Sequence, residues 1–117
     1  DFNKSATAAA SLLSTVCIVE AKRILGDLEV NHSETDLWFK LLVLHIYHAG
    51  AGNVEGLLKQ QESPLRGKEL ILWIWQNEWG GFKNASQNYT QVAIAALLSL
   101  QDEIYEHCDF IFECQPF

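Results

Sequence analysis

The sequence predicts an all-α fold, a compact bundle of about five helices that forms one domain over residues 1–117. Apolar residues recur at helical spacing along most of the chain, and no alternating pattern of useful length predicts a strand. Hydrophobic residues make up 49% of the 117 residues and charged residues 20%, so the chain is able to bury a core of its own.

The first helix is expected to begin at a cap formed by Ser5 or Thr7 and to run to about Leu25. Gly26 is expected to end this helix, because glycine takes the left-handed backbone conformation that commonly follows a helix. A connector over residues 27–32 then leads to the second helix.

The second helix is predicted over residues 34–47, after a weak capping box at residues 33–36 with Asp in place of the usual Glu or Gln. Gly50 and Gly52 follow, and both are expected to let the backbone turn with positive φ. Asn53 is expected to cap the third helix with its side-chain oxygen. This glycine-spaced corner would present the phenol of Tyr47, the imidazole of His48 and free backbone groups to a ligand.

Three further helices are predicted from the same apolar spacing. The third covers residues 53–61. Ser63 and Pro64 form a start signal for the fourth, which is expected over residues 69–79 and to end at two glycines. The fifth is predicted from about residue 86 to about residue 107, and an aromatic tail follows it.

Charge and hydropathy exclude two classes of protein. The formal net charge is -7 and only eight residues are basic, so the clustered Lys and Arg of a nucleic-acid-binding surface are missing. The longest apolar run, residues 92–100, is about half of the ~18–20 residues that span a bilayer. The chain starts at Asp1, which fits a processed product or a fragment.

The positions of the cysteine and histidine residues do not predict a metal site, and no cofactor is predicted. Cys17 lies in an apolar stretch and is expected to be a buried free thiol. Cys108 and Cys114 are close enough for a local disulfide, and two unrelated thiols are the alternative. His45 and His48 share a helix face but lack a third donor. One of them is expected to line the corner, and the other to be partly buried with its hydrogen bonds satisfied.

Trp73, Trp75 and Trp79 are concentrated in the fourth predicted helix. Trp75 and Trp79 are four residues apart and would be neighbours on the surface of that helix. We interpret the helix as part of the core, wrapped on several sides. A platform on which sugars stack is the alternative interpretation.

Two stretches resemble a known family. Residues 47–54 read Tyr47-His48-Ala49-Gly50-Ala51-Gly52-Asn53-Val54. They resemble the Tyr-Asn-Ala-Gly-x-Gly-x-Val signature of the lytic transglycosylases, with His in the place of Asn. Residues 86–92 read Ser86-Gln87-Asn88-Tyr89-Thr90-Gln91-Val92 and are similar to the Glu-Thr-x-x-Tyr-Val-x-x-Val helix start of that family. The resemblance covers roughly residues 15–100.

The resemblance implies a lysozyme-like fold and, as partner, the glycan strand of peptidoglycan or another glycan. The family cleaves β-1,4 linkages in that strand by general acid/base catalysis, without a metal or cofactor. A periplasmic, cell-envelope or secreted location is implied as well. The implied substrate-binding residues are Tyr47, His48, Ala49, Gly50, Asn53, Asn88 and Tyr89.

The catalytic segments of the family are not recognisable in the chain. A Glu-Ser helix and a Gly-Leu-Met-Gln segment precede the tyrosine motif in the family, and this chain has no Met. Glu62-Ser63 follows the motif, whereas Glu20, Glu69 and Glu78 are carboxylates in apolar stretches. For each of these carboxylates, a solvated surface position is the favoured interpretation. No catalytic acid is therefore assigned, and a fragment or a diverged, inactive member is expected.

Two other functions fit the same residues. A non-catalytic helical module would pack through Ala-rich helices and use surplus aromatic residues to bind a partner or to form a homo-oligomer. A small-molecule pocket in the bundle would be lined by Tyr47, His48 and Tyr89. A carboxylate facing Tyr89 would favour the enzyme, and a flat apolar patch would favour the module.

Overall fold

Five helices account for most of the structure, a computed structural model that describes residues 2–83 and 85–99. In chain order they are α1 (Phe2–Asp27), α2 (Leu37–Ala49), α3 (Ala51–Leu58), α4 (Gly67–Gln76) and α5 (Ala85–Ser99). No strand occurs in the described part of the chain, where a backbone bridge joins Trp79 to Phe82 in a tight turn. The predicted all-α class is confirmed.

The second helix, α2, forms the centre of the bundle, because it contacts each of the other four helices. Its buried residues include Phe39, Leu42 and Ile46, which share one face at helical spacing. Ile24 and Leu25 of α1 are fully buried in the same core. Burial of each such side chain contributes about 1.5–3 kcal/mol. The end of α2, where the glycine corner begins, is therefore held by packing on several sides.

Helix α1 begins before either predicted cap residue and ends at Asp27, so Gly26 does not end it. Glu29 takes the left-handed position instead, with φ of 58°. The N–H groups of Glu29 and Val30 donate to the carbonyls of Gly26 and Leu25, at 3.1 and 2.9 Å, which is the Schellman pattern. Val30 is buried, so a tertiary contact just beyond the helix decides where the helix stops.

Helix α2 begins at Leu37, three residues later than predicted, and the capping box does not form. Asp36 occupies the N-cap position without a side-chain capping hydrogen bond. The Ser33 hydroxyl accepts the N–H of Thr35 at 3.3 Å, so it stabilises a local turn ahead of the helix.

Helix α4 runs from Gly67 to Gln76, so both of its predicted ends are wrong. The start signal at residues 63–64 lies in the preceding loop. After α4, the N–H of Trp79 donates to the carbonyl of Phe82 at 3.0 Å, and the N–H of Phe82 donates back at 2.8 Å. These two bonds form a tight hairpin where the sequence predicted the end of a helix.

Helix α5 begins at Ala85, one residue before the predicted start. Its predicted extension to about residue 107 lies outside the described residues, as do Cys108 and Cys114. Cys17 is a free thiol and is 5% exposed, as predicted. In the described part of the chain, no helix has both the length and the apolar character needed to cross a membrane.

Candidate functional site

The corner between α2 and α3 turns at one residue with positive φ. Gly50 has φ of 92° and lies between the two helices. Its N–H donates to the carbonyl of Ile46 at 2.8 Å, and its own carbonyl accepts the N–H of Val54 at 3.2 Å. Gly50 therefore closes one helix and opens the next. Gly52 lies inside α3, so the positive φ predicted for it is wrong.

Asn53 does not cap α3, which begins two residues earlier, at Ala51. Its Nδ2 donates to the carbonyl of Ala49 at 2.8 Å. The side chain therefore satisfies one of the unpaired carbonyls at the end of α2 rather than an N–H at the start of α3. This bond ties the two helices together across the corner.

The two segments that carry the family resemblance meet at this corner. The rings of His48 and Tyr89 stack with their centroids 4.1 Å apart and an angle of 2° between their planes. Tyr47 and Tyr89 line one cavity of about 270 Å³, and Tyr47 is 56% exposed. The cavity is also lined by Ser14, Cys17, Val43 and Leu44. We call this cavity, with the His48 ring and Gly50 beside it, the Tyr47 corner.

The lining of the Tyr47 corner is apolar apart from hydroxyl and thiol groups. No carboxylate of the described residues lines the cavity. Burial, helped by the nearby charge of Glu20, raises the pKa of the Cys17 thiol. The thiol is therefore protonated at neutral pH, and this is the weakly nucleophilic form.

The carboxylates considered as catalytic acids lie elsewhere. The Oε2 atom of Glu20 accepts hydrogen bonds from Nε and Nη2 of Arg23 at 3.0 and 2.8 Å. Arg23 also donates to Glu55 of α3 at 2.9 Å, so Glu20 belongs to an ion-pair network between α1 and α3. The other candidates are exposed: Glu62, Glu69 and Glu78. Their exposure agrees with the solvated surface position that the sequence favours for them.

His45 is fully buried, whereas the sequence predicted partial burial. Its Nε2 lies 2.7 Å from the hydroxyl of Thr90, which accepts the indole N–H of Trp75 at 2.7 Å. The Nδ1 atom has no hydrogen-bond partner among the described residues. Burial lowers the pKa of His45 to about 4, so the ring is neutral at pH 7. The sequence does not predict the contact among His45, Trp75 and Thr90, because these residues come from three different helices.

The remaining predicted site residues differ in their relation to the cavity. Ala49 is half-buried, and Gly50 is exposed with no atom near the place a Cβ would occupy. Asn88 is exposed on α5 and does not line the cavity. No three His, Cys, Asp or Glu side chains of the described residues are grouped to hold a metal ion.

The three clustered tryptophans do not share one helix surface. Trp73 and Trp75 are half-buried and pack against the core, as the core interpretation predicts. Trp79 lies in the hairpin after α4 and is 39% exposed. Its ring covers Gly56 of α3 so closely that a Cβ at Gly56 would overlap it.

Comparison with known proteins identifies no family. No family model matches the chain, and neither a curated protein nor a solved structure matches it. The resemblance to the lytic transglycosylases therefore depends on the residues of the chain, chiefly those of residues 47–54 and 86–92.

Proposed function

We propose that this domain binds the glycan strand of peptidoglycan, or a related glycan, at the Tyr47 corner as a diverged or partial relative of the lytic transglycosylases. One observation carries the proposal. The two segments that resemble the family are far apart in sequence, yet His48 and Tyr89 stack at 4.1 Å and both tyrosines line one cavity. The resemblance implies that these two segments line one cleft, and the packing of α5 against α2 is compatible with it.

The chemistry of the corner suits a saccharide. Sugars present C–H faces that pack on aromatic rings, and Tyr47 leaves 56% of its surface exposed. The two phenols offer hydroxyl groups for hydrogen bonds, and Val43 and Leu44 offer an apolar wall for a methyl group of an N-acetyl substituent. Gly50 has open space where a Cβ would be, so a ligand is able to approach the backbone.

The proposal is binding rather than cleavage by the described residues. General acid catalysis needs a proton donor within hydrogen-bond reach of the glycosidic oxygen. The cavity lining contains no carboxylate, and Glu20, one turn of α1 beyond Cys17, is bound to Arg23. Hydrolysis or transglycosylation at this corner would need an acid from elsewhere.

The direct test is cosedimentation of the protein with purified peptidoglycan sacculi, followed by titration with soluble chitooligosaccharides. Tyr89→Ala removes the ring that stacks on His48 and is expected to weaken binding about tenfold. Tyr89→Phe keeps the ring and is expected to retain most of the affinity. Val92→Ala, one turn further along α5 at a 66% exposed position, is the matched control and is expected to bind normally.

Two further measurements distinguish binding from cleavage and test the resemblance to the family. Sacculi incubated with the protein are expected to release no anhydro-muropeptides. His48→Asn restores the family residue and is expected to bind at least as tightly as the native protein. Absence of binding by the native protein, or equal binding by Tyr89→Ala, Val92→Ala and the native protein, would overturn the proposal.

A second function, a self-association module, is favoured by one other observation. Leu12, Val16 and Val19 of α1 are 67%, 49% and 58% exposed, and their spacing places them on one stripe of the helix. Leu13, 44% exposed, widens that stripe. An apolar stripe of this length on a surface helix is typical of a helix that packs against another helix.

Sedimentation velocity over a range of protein concentrations tests the module. The α1 stripe predicts a dimer that strengthens with concentration, and Val16→Glu is expected to abolish it. Ser11→Glu, at an exposed position outside the stripe, is the control and is expected to leave the dimer intact. A monomer at all concentrations, or equal loss of the dimer in both variants, would exclude this use of α1.

A further inference from the structure

A second cavity lies between the N-terminal half of α2 and one side of α4. Its volume is about 340 Å³, which is in the range of small-molecule sites. It shares no lining residue with the Tyr47 corner, so an inference about this cavity is independent of the proposed glycan binding. We call it the indole groove after its two tryptophans, Trp38 and Trp75.

The interior of the indole groove is apolar and held in place by the fold. Leu41 and Ile71 are 7% and 3% exposed and form its base. Trp38 and Trp75 are half-buried beside them. The indole N–H of Trp75 donates to Thr90 at 2.7 Å, which fixes the orientation of that ring before any ligand binds.

Two side chains of opposite charge line the same groove. They are Asp36, half-buried at the N-cap of α2, and Lys68, exposed in the first turn of α4. Within the described residues neither makes a salt bridge. A carboxylate at an N-cap ordinarily accepts a hydrogen bond from the first turn of its helix, but that of Asp36 does not. The fold therefore leaves both charges available to a ligand.

We propose that the indole groove binds a free α-amino acid with a large apolar side chain, such as leucine or phenylalanine. The side chain would occupy the space between Leu41, Ile71 and the indoles. The α-ammonium group would pair with Asp36, and the α-carboxylate would pair with Lys68. A purely apolar ligand would leave both charges without a partner, and an anion alone would face the carboxylate of Asp36.

The test compares ligands that lack one recognition element each. Thermal unfolding and tryptophan fluorescence are measured with L-leucine, N-acetyl-L-leucine, L-leucinamide and glycine. Leucine is expected to raise the unfolding midpoint and to change the emission of the groove tryptophans. The N-acetyl and amide derivatives, each lacking one charge, are expected to bind about fivefold more weakly, and glycine is expected not to bind measurably.

Substitutions assign each charge to its partner. Asp36→Asn is expected to remove the preference for leucine over N-acetyl-L-leucine, and Lys68→Gln to remove the preference over L-leucinamide. Lys40→Gln, an exposed lysine of α2 outside the groove, is the matched control. The proposal is overturned if leucine at millimolar concentration changes neither readout. Equal binding of all three leucine compounds, or unchanged preferences in Asp36→Asn and Lys68→Gln, overturns it as well.

Discussion

His45 joins three helices through a single buried hydroxyl. Its Nε2 and the indole N–H of Trp75 both lie 2.7 Å from Oγ1 of Thr90, so α2, α4 and α5 share one polar contact. Loss of one partner in such a buried set costs about 1–3 kcal/mol, because the other polar groups lose water without gaining a hydrogen bond. The folded protein is therefore stable only while His45 is uncharged.

Stability is expected to fall as the pH decreases from about 6.5 to about 4. Burial lowers the pKa of His45 from 6.5 to about 4, so over this range the unfolded chain binds a proton that the folded protein does not. Above pH 6.5 His45 is neutral in both states and causes no loss of stability, and the loss amounts to roughly 3 kcal/mol when the pH reaches 4. Urea unfolding at several pH values measures the change.

The matched variant for this pH dependence is His45→Gln, which keeps a polar side chain but does not titrate. It is expected to be less stable at pH 7, and to lose less stability than the native protein on acidification. Carboxylates titrate in both proteins, so the difference between the two slopes isolates His45. Parallel slopes for the two proteins would contradict the assignment.

Glu29 is a residue whose substitution by glycine is expected to stabilise the protein. It holds φ of 58°, which disfavours any residue with a Cβ. Glu29→Gly is expected to raise the free energy of unfolding by about 1 kcal/mol, measured by urea denaturation. Gly26→Ala is the companion variant, because Gly26 lies inside α1 and no atom lies within 4 Å of the position that an added Cβ would occupy.

Gly26→Ala is also expected to stabilise the protein, by about 0.5–1 kcal/mol, since alanine is the better helix former. If Gly26 were the residue that ends α1, this substitution would destabilise the protein instead. The two variants together therefore test where the helix stops.

At the scale of elements, α3 is positioned by glycines that serve different purposes. Gly50 turns the chain with φ of 92°, Gly52 is an ordinary helical position, and Gly56 makes room for the ring of Trp79. The hairpin that carries Trp79 is held against α3 because Gly56 has no side chain. Phe82 of the same hairpin is buried and its ring centroid lies 5.5 Å from that of His45.

Gly56→Ala is expected to destabilise the protein by about 1–2 kcal/mol, because the displaced indole costs more than the gain in helix propensity. Gly52→Ala in the same helix has open space around it and is expected to stabilise by about 0.5–1 kcal/mol. Thermal or urea unfolding measures both. In a protein that carries Trp79→Ala, Gly56→Ala is expected not to lower the free energy of unfolding. A double-mutant cycle that shows no coupling between the two substitutions would contradict the contact.

At the scale of the whole molecule, an ion-pair network joins the first and third helices. Arg23 of α1 donates to Glu55 of α3 at 2.9 Å, and to Glu20 and Asp27 on its own helix. The hydrogen bond from Arg23 lowers the pKa of Glu55, so the stability from this pair is present above the unfolded pKa and is lost as pH falls through the folded value. Glu55 lies in α3, about one helical turn after the chain turns at Gly50. The network therefore holds the start of α3 against α1.

Arg23→Gln is expected to lower the melting temperature at low salt, with a smaller decrease at about 1 M salt, because exposed charges are screened. Lys59→Gln is the control, since Lys59 lies 3.8 Å from Glu55 and is largely exposed. It is expected to change the melting temperature less than Arg23→Gln does. An equal decrease at both salt concentrations would contradict an electrostatic role for Arg23.

The candidate site was predictable in part, and the reason differs from residue to residue. Tyr47, His48 and Gly50 lie next to one another in the chain, so the sequence itself places them at one corner. The stacking of Tyr89 on His48 requires α5 to pack against α2, which no local pattern specifies. The bond from Asn53 back to Ala49 was missed because a capping role is the common one for Asn near a helix start.

The sequence by itself determined the all-α class and the five helices found in residues 2–83 and 85–99, because apolar spacing and backbone hydrogen bonding act over a few residues. Only the tertiary structure decided where those helices begin and end. The burial of Val30 and the packing of the Trp79 hairpin depend on residues distant in the chain. It also decided that the described lining of the Tyr47 corner holds two phenols and no carboxylate, because that lining comes from three helices.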